Sequence, residues 1–255
     1  MDLILHPLSG IPLIQKGDDV TELIMKALVI NKIELLGGDI LVITQKIISK
    51  SEGRKVYLSN IQVSERAREI AKISTKDPRL IELILRESNE ILRITPDHII
   101  VVHRLGFVCA NAGIDHSNVD AEKGPKKDAY LLLPLDPDLS ASQIREKVKI
   151  RTGRSVGILI IDSHGRAWRN GIMGTTIGIA GLPAIVDLRG KKDLFGYRLK
   201  ITQEAAADEL AAAASLLMGQ ADEKIPVVHI RGFPYEMRES TTRELIRAKE
   251  KDLFR

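Results

Sequence analysis

Val156-Gly-Ile-Leu-Ile-Ile-Asp162-Ser-His-Gly-Arg166 decides how this chain is read. Six residues without a polar side chain, rich in isoleucine, have the composition of a strand buried on both faces, and a carboxylate ends the run. A second segment repeats the arrangement, with an apolar strand expected at 99–102 followed by Asn111-Ala-Gly-Ile-Asp115-His-Ser-Asn118. An aspartate at the end of a buried strand stands where a sheet meets solvent and can collect a hard cation such as Mg²⁺ or Mn²⁺. One such aspartate is ordinarily a turn or helix cap. Two, each flanked by Gly, Asn or Ser, point to a shared metal site. His116 and His164 beside them read either as general bases or as hydrogen-bond partners of the carboxylates.

Working outward, residues 3–5 and 40–44 read as strands enclosing a helix capped near Asp18 and Asp19 and running through Leu23, Ile24 and Ala27. Ser64 opens an Ala- and Arg-rich helix, and Asp77-Pro78 caps another, so two helices precede strand 99–102. Residues 120–128 form a polar turn or loop, 131–133 a strand, and 139–152 a helix that Gly153 ends. Gly171, Gly174, Gly178 and Gly181 punctuate an apolar stretch, which suits close backbone packing in a sheet. Thr202 is positioned to cap an alanine-rich helix through Leu217, closed by Gly219, before a last strand at 227–231. Residues 236–255 read as a surface helix or the start of a connection. The fold class expected is α/β in a mixed α+β sense, with 1–255 as one catalytic unit that has room for two interleaved lobes and 236–255 as a tail or linker.

At 255 residues, 44% hydrophobic and 28% charged, the chain has the composition of an ordinary globular protein. The net charge of +4 is spread without a Lys/Arg run, so no nucleic-acid partner is expected; it suits an anionic small molecule or simply a solvated surface. The only cysteine, Cys109, lies in an apolar segment, which excludes an intrachain disulfide and reads as core packing. No apolar stretch reaches the roughly 18 residues of a membrane-spanning helix, and the N-terminus lacks a signal-peptide pattern, so a cytoplasmic protein with no membrane partner is expected.

The remaining chemistry is less specific. Lys50, among small residues after the strand at 40–44, reads equally as a phosphate ligand in a loop or as a solvated surface lysine. Neither a Walker loop nor Gly-x-Gly-x-x-Gly after a strand occurs, which argues against both the P-loop and the Rossmann folds. Pro7-Leu-Ser-Gly-Ile-Pro12 is either a ligand-approaching loop or a rigid turn, and Gln220 is either a polar helix exit or an oxygen ligand. Trp168 reads as core, or with Arg169 as a cover over a ring or anion. The histidines show no zinc spacing, and neither a Gly-x-Ser-x-Gly elbow nor a Cys/His pair is visible.

Taken together, Pro7-Leu-Ser-Gly-Ile-Pro12, Lys50-Ser-Glu-Gly-Arg54, Asn111-Ala-Gly-Ile-Asp115-His-Ser-Asn118, Asp162-Ser-His-Gly-Arg166 and Leu216-Leu-Met-Gly219 resemble the coenzyme F420-0:gamma-glutamyl ligase family (CofE) over nearly the whole chain. The ending Lys249-Glu-Lys-Asp-Leu-Phe-Arg255 is similar to the junction at which bacterial relatives continue into a nitroreductase-like domain. The resemblance implies a CofE-like ligase fold and a GTP-dependent enzyme that joins L-glutamate to the deazaflavin precursor F420-0 through an acyl phosphate. It implies Mg²⁺ or Mn²⁺, with K⁺ as a further cation, and a homodimer. Residue by residue, it implies Lys50, Asp115 and Asp162 as catalytic, and Asp115, Asp162, Ser163 and Gln220 as metal ligands. Nucleotide contacts fall to Ser9, Gly10, Ile11, Pro12, Gln45, Lys46, Lys50, Asn118, Met218, Gly219 and Gln220. The competing classes are a metal- and nucleotide-dependent phosphotransferase or amide ligase acting on another acid, and a nucleotide-binding module without turnover. The number of glutamates added, the oxidation state of the precursor and the preferred metal are not encoded in any motif.

Overall fold

The computed structural model describes residues 2–119 and 128–252. Its centre is a five-stranded sheet in the order β1 (Ile4–Pro7), β12 (Val227–Arg231), β2 (Ile40–Thr44), β8 (Gly157–Arg166), β9 (Arg169–Ala180). Only β2 and β8 run parallel, in register from Ile40↔Gly157 to Thr44↔Ile161; the other neighbours are antiparallel. The apolar runs of β2 and β8 are buried because helices cover both faces. Leu41, Ile43, Ile158 and Ile160 pack with α1 (Val20–Ile30), α2 (Gln45–Ser51) and α5 (Pro137–Thr152). Ile40, Val42, Leu159 and Ile161 pack with α6 (Ala206–Met218).

A second core forms where α3 (Glu65–Ala71) and α4 (Pro78–Arg86) cover a three-stranded antiparallel sheet of β4 (Ser88–Ile94), β5 (Ile99–His103) and β6 (Val108–Ala110). The short ribbon of β3 (Lys55–Tyr57) and β7 (Ala129–Leu131) and the two-residue strands β10 (Val186–Asp187) and β11 (Gln203–Glu204) complete the set. Phe107 packs against both the first core and this second one.

Local signals place most boundaries. Asp19, Ser64 and Asp77 accept N-terminal helix N–H groups, and Asp136, three residues ahead of the expected start, caps α5 through Leu139 N–H (3.0 Å). Gly153 ends α5 at φ 68°. Gly174 and Gly178 justify the close-packing reading: a Cβ would lie 2.3 Å from the Ala211 carbonyl of α6 or 2.6 Å from the Pro137 carbonyl of α5.

Several expectations fail for tertiary reasons. Thr202 does not cap α6, because Gln203 and Glu204 pair with Val186 and Asp187; Ala205 occupies the cap position, and Ala207 N–H donates to the Ala184 carbonyl (3.3 Å). Strand β4 is absent from the sequence reading, since its half-exposed edge position and two register shifts erase clean alternation. The strand expected at 131–133 spans Ala129–Leu131. The tail forms two 3₁₀ turns, Thr242–Glu244 and Lys249–Lys251, in place of a helix, while Met237 and Leu245 pack on the α6 side of the sheet. Of the loop expected at 120–128, residues 120–127 lie outside the described residues.

Candidate functional site

The parallel pairing of β2 and β8 ends at Thr44↔Ile161, so Gln45 and Asp162 are the next residues along each chain, at the carboxyl edge of both strands. In open α/β sheets that edge is where ligands bind. There the chains diverge. After Thr44 the chain turns directly into α2, so Gln45 and Lys46 occupy its first turn. β8 instead continues to Arg166 as a hairpin with β9, so Asp162 lies within a longer strand and not at its end. The segment after the apolar run pairs with β9, Ser163 opposite Gly174 and His164 opposite Met173, which supply an antiparallel partner.

Asp115 also departs from the expected strand end. β5 stops at His103; the chain then forms β6 and a tight turn in which Asn111, Ala112 and Gly113 have φ of 51°, 53° and 61°. Consecutive left-handed residues are sterically costly, and here they aim Asp115 at Leu131, with which it exchanges backbone hydrogen bonds of 2.9 and 2.8 Å. Gln45 Nε2 donates to Asp115 Oδ2 (2.7 Å), and Lys46 Nζ forms an ion pair with the same oxygen. Ser49 Oγ donates to Gln45 Oε1 (2.9 Å), which fixes the buried amide.

Asp115 senses the charge of Asp162. Burial pushes the Asp115 carboxyl above its usual range, Lys46 opposes this, and the charge of Asp162 adds to the rise. Asp162 Oδ2 lies 3.0 Å from His164 Nε2, two residues along the strand and therefore on the same face, and the His164 ring rests 5.3 Å from that of Phe107. Burial, then Asp162, pushes the Cys109 thiol up to about 12, which keeps it protonated and removes it as a nucleophile. His103, 3.9 Å from Glu87, is held at about 4 by burial and nearby cations, so it is neutral and that contact is not an ion pair at neutral pH.

Lys50 lies in the last turn of α2, not in a loop, and its Nζ donates to the Asn118 carbonyl (2.8 Å). Asn118 Nδ2 donates in turn to the Ala221 carbonyl (2.9 Å), and beside Ala221 the Gln220 Oε1 accepts from Ser163 Oγ (3.0 Å). Two sets of contacts therefore meet at this edge, Gln45 and Lys46 on Asp115 and Lys50–Asn118 with Ser163–Gln220, joined by the shared helix α2 and by Asp162, which adjoins Ser163 and whose charge reaches Asp115. Strand alternation divides it: Asp162 follows Ile160 toward the α1/α5 face, whereas Ser163 follows Ile161 toward α6. Gly219 ends α6 at φ 69°, and Met218 is buried in the α6 core.

The loop of Ser9, Gly10, Ile11 and Pro12 leaves β1, which runs parallel to β2 on the far side of β12, at the same edge of the sheet, and turns back onto the end of α1. Ser9 Oγ donates to Asn31 Oδ1 (3.0 Å), Asn31 Nδ2 donates back to the Ser9 carbonyl (3.0 Å), and Gly10 at φ 85° packs under Ile30. A cavity of about 500 Å³ opens beside it, lined by His6, Asn31, Lys32, His229 and Arg231 among others, away from the paired carboxylates. Trp168 is 86% exposed, which corrects its reading as core. The Asp162–His164 contact matches the reading of His164 as a hydrogen-bond partner of the carboxylate, set by the i, i+2 spacing once β8 continues.

The donors are all oxygen: two carboxylates, a hydroxyl and an amide, the set that Mg²⁺ or Mn²⁺ takes. A divalent cation between Asp115 and Asp162 would relieve the repulsion that adds to the rise at Asp115 and would offset the burial of its charge. Among the described residues no three His, Cys, Asp or Glu side chains converge, so such an ion would complete its shell with water or substrate oxygens.

Residues 10–232 match the family model described as F420-0:Gamma-glutamyl ligase. The chain is 46% identical over its full length, and the full length of the relative, to the coenzyme F420:L-glutamate ligase of Methanothermobacter thermautotrophicus. It is 41% identical to that of Archaeoglobus fulgidus over 100% of this chain and 97% of the relative. To that of Methanosarcina mazei it is 39% identical over 96% and 92%. A constellation built on the motifs that carry the resemblance, together with matches of this length, shows that the chain belongs to the F420-0:gamma-glutamyl ligase family, a family of ligases.

Proposed function

We propose that this protein forms an amide bond between L-glutamate and the carboxylate of F420-0, driven by GTP with Mg²⁺ or Mn²⁺ bound at Asp115 and Asp162. The observation that carries the reading is the meeting of two carboxylates and two lysines at the carboxyl edge of β2 and β8. Family membership supports the substrates, which are those in the names of the matched relatives.

In the first step an oxygen of the F420-0 carboxylate attacks the γ-phosphorus of GTP; the bond to the β–γ bridging oxygen breaks and GDP departs. The glutamate amine then attacks the acyl carbon, loses its proton, and phosphate leaves with the oxygen that attacked phosphorus. Bound metal would supply electrostatic stabilisation of the phosphoryl oxygens. Lys46 and Lys50 hold positive charge on α2, where charge develops on the transferred group. Gln45, itself fixed by Ser49, orients Asp115, and His164 orients Asp162. With Cys109 protonated and buried, the acyl group travels on phosphate and not on the protein.

Ser163 and Gln220 take a second oxygen site on the α6 side of β8, with K⁺ as a further cation. Asn118, Met218, Gly219 and the loop of residues 9–12 take the nucleotide. The protein works in the cytoplasm as a homodimer. A free buried cysteine suits a reducing compartment, and among the described residues no helix is long and apolar enough to cross a membrane. The arm between β10 and β11 exposes Leu194 (98%), Phe195 and Ile201, apolar area that a second copy would cover.

The test is incubation with GTP, Mn²⁺, L-glutamate and F420-0 whose carboxylate carries ¹⁸O. Glutamate-extended product by mass, with one label in the released phosphate, is expected. A phosphorylated acid without amide, or product with no label in phosphate, overturns the reading.

A further inference from the structure

The apex of the β8–β9 hairpin is built against its own backbone preference. Arg166 pairs with Arg169 across only Ala167 and Trp168. Trp168 takes φ 63°, the left-handed conformation that a tight turn with positive φ at its second central residue ordinarily assigns to Gly or Asn. A bulky aromatic is sterically disfavoured there, and with its side chain largely in solvent, burial does not compensate. A residue that opposes both local geometry and solvation is a reason to look for a ligand.

The ribbon fixes where that ligand would lie. Asp162 and Arg166 are four residues apart on one strand, about 13 Å at roughly 3.3 Å per residue, so the backbone of the apex stands about that far along the ribbon from Asp162. Between them Gly165 leaves open space over its backbone, opposite a partly exposed Ile172. The Arg166 guanidinium is held along the ribbon by the Met173 sulfur (3.1 Å) and the Asn170 carbonyl (3.3 Å).

We propose that Trp168 is the stacking platform for the planar deazaflavin ring of the acceptor, holding the ring at the hairpin apex while the acceptor's carboxylate reaches Asp115 and Asp162. This rests on the ligase reading above. The acceptor is favoured over the guanine base because Lys46 and Lys50 lie on α2 and Lys50 is tied through Asn118 to the loop after α6, whereas β8 carries the apex away beyond the end of β2.

Trp168 is the only tryptophan, so intrinsic emission reports this residue alone. Titration with F420-0, corrected for inner-filter absorption, should quench it saturably, while GTP without acceptor leaves it unchanged. Trp168→Gly, which suits the turn, should keep the melting temperature while raising the acceptor KM about 10-fold or more, as loss of one stacked ring implies. The KM values for GTP and glutamate, and kcat, should stay near wild type, and Trp168→Phe should recover most of the acceptor affinity. Quenching by GTP alone, an unchanged acceptor KM in Trp168→Gly, or a change in self-association with no change in KM would each overturn the proposal. Saturable quenching without any amide product would count against the ligase reading alone; amide product with an unchanged acceptor KM would count against the platform alone.

Discussion

An aspartate stands at each end of β2, Asp39 just before it and Asp115 against the helix that follows it, and the two behave in opposite ways. At the amino end, Asp39, with 3% of its side chain exposed, accepts from Arg231 through both oxygens (2.9 and 2.7 Å) and from the Leu36 N–H (2.8 Å), and lies 2.8 Å from His229 Nε2. Burial alone would raise its carboxyl, but Arg231, the Leu36 amide and His229 outweigh it and hold the group below its usual value of 3.8. At the carboxyl edge, Asp115 keeps 25% of its side chain exposed, yet burial of the group raises its carboxyl, Lys46 and Gln45 oppose the rise, and the charge of Asp162 adds to it. Burial pushes both carboxyls up; the groups beside each one decide whether that push is overcome, as at Asp39, or stands, as at Asp115. Asp39 is satisfied by its surroundings, whereas Asp115, even with Lys46 and Gln45 on one oxygen, keeps a raised carboxyl beside the charge of Asp162, as a group awaiting a cation would.

The strongest way to break this contrast is to remove charge at the carboxyl edge. Asp162→Asn or Asp115→Asn should lower kcat for glutamate transfer by roughly a hundredfold or more while the fold survives, as judged by circular dichroism and melting. Wild-type turnover of either variant at limiting Mn²⁺ would remove the carboxylates from the mechanism.

Next in size is the amino end. Asp39→Ala leaves Arg231 and the buried His229 without their carboxylate, and should cost about 3 kcal/mol in urea unfolding while the folded enzyme keeps its kcat. If activity falls and stability does not, the two ends have been assigned the wrong way round.

A smaller effect is expected at Lys50. Lys50→Met should reduce kcat at saturating GTP about tenfold, with little change in the glutamate KM, since its charge matters most as phosphoryl charge develops. An unchanged kcat would leave Lys50 as a tether for the Asn118 carbonyl.

The smallest effect sharpens the comparison through pH. A lowered carboxyl such as Asp39 contributes stability above 3.8 that is lost as pH falls through its folded value, so the gap between wild type and Asp39→Ala should narrow in acid. A raised carboxyl such as Asp115 has the opposite sign: ionisation costs stability above its folded value, and the cost vanishes as pH falls toward 3.8. Asp115→Asn should therefore be slightly more stable than wild type near neutrality, with the advantage shrinking on acidification. His103, held near 4, is present in both proteins and cancels from that difference. Urea midpoints at several pH values read both trends, and parallel shifts for the two variants would contradict the assignment.

Much of the scaffold was legible in the sequence. The apolar runs at 40–44 and 227–231 coincide with β2 and β12, and Asp19, Ser64, Asp77 and Gly153 mark helix ends as read. The members of the site were named, but two of their settings were misread. Lys50 was placed in a loop because Ser49, Ser51 and Gly53 are poor helix formers, yet packing of Ile47 and Ile48 into the first core closes α2 around it. Asp162 was placed at a strand end because the apolar pattern stops there, yet the backbone continues once β9 offers a partner.

What the sequence by itself determined, then, is the set of elements, their caps and the family, because periodicity, capping and motif spacing act over a few residues of contiguous chain. Tertiary structure alone decided that Asp115, arriving from a left-handed turn beyond β6, meets Asp162 at the edge of β8; that Ser163 and Gln220 face the other side; and that Trp168 stands in solvent. Those outcomes depend on which strands lie side by side. Strand order is fixed by the joint burial of apolar faces far apart in the chain, and no local pattern encodes it.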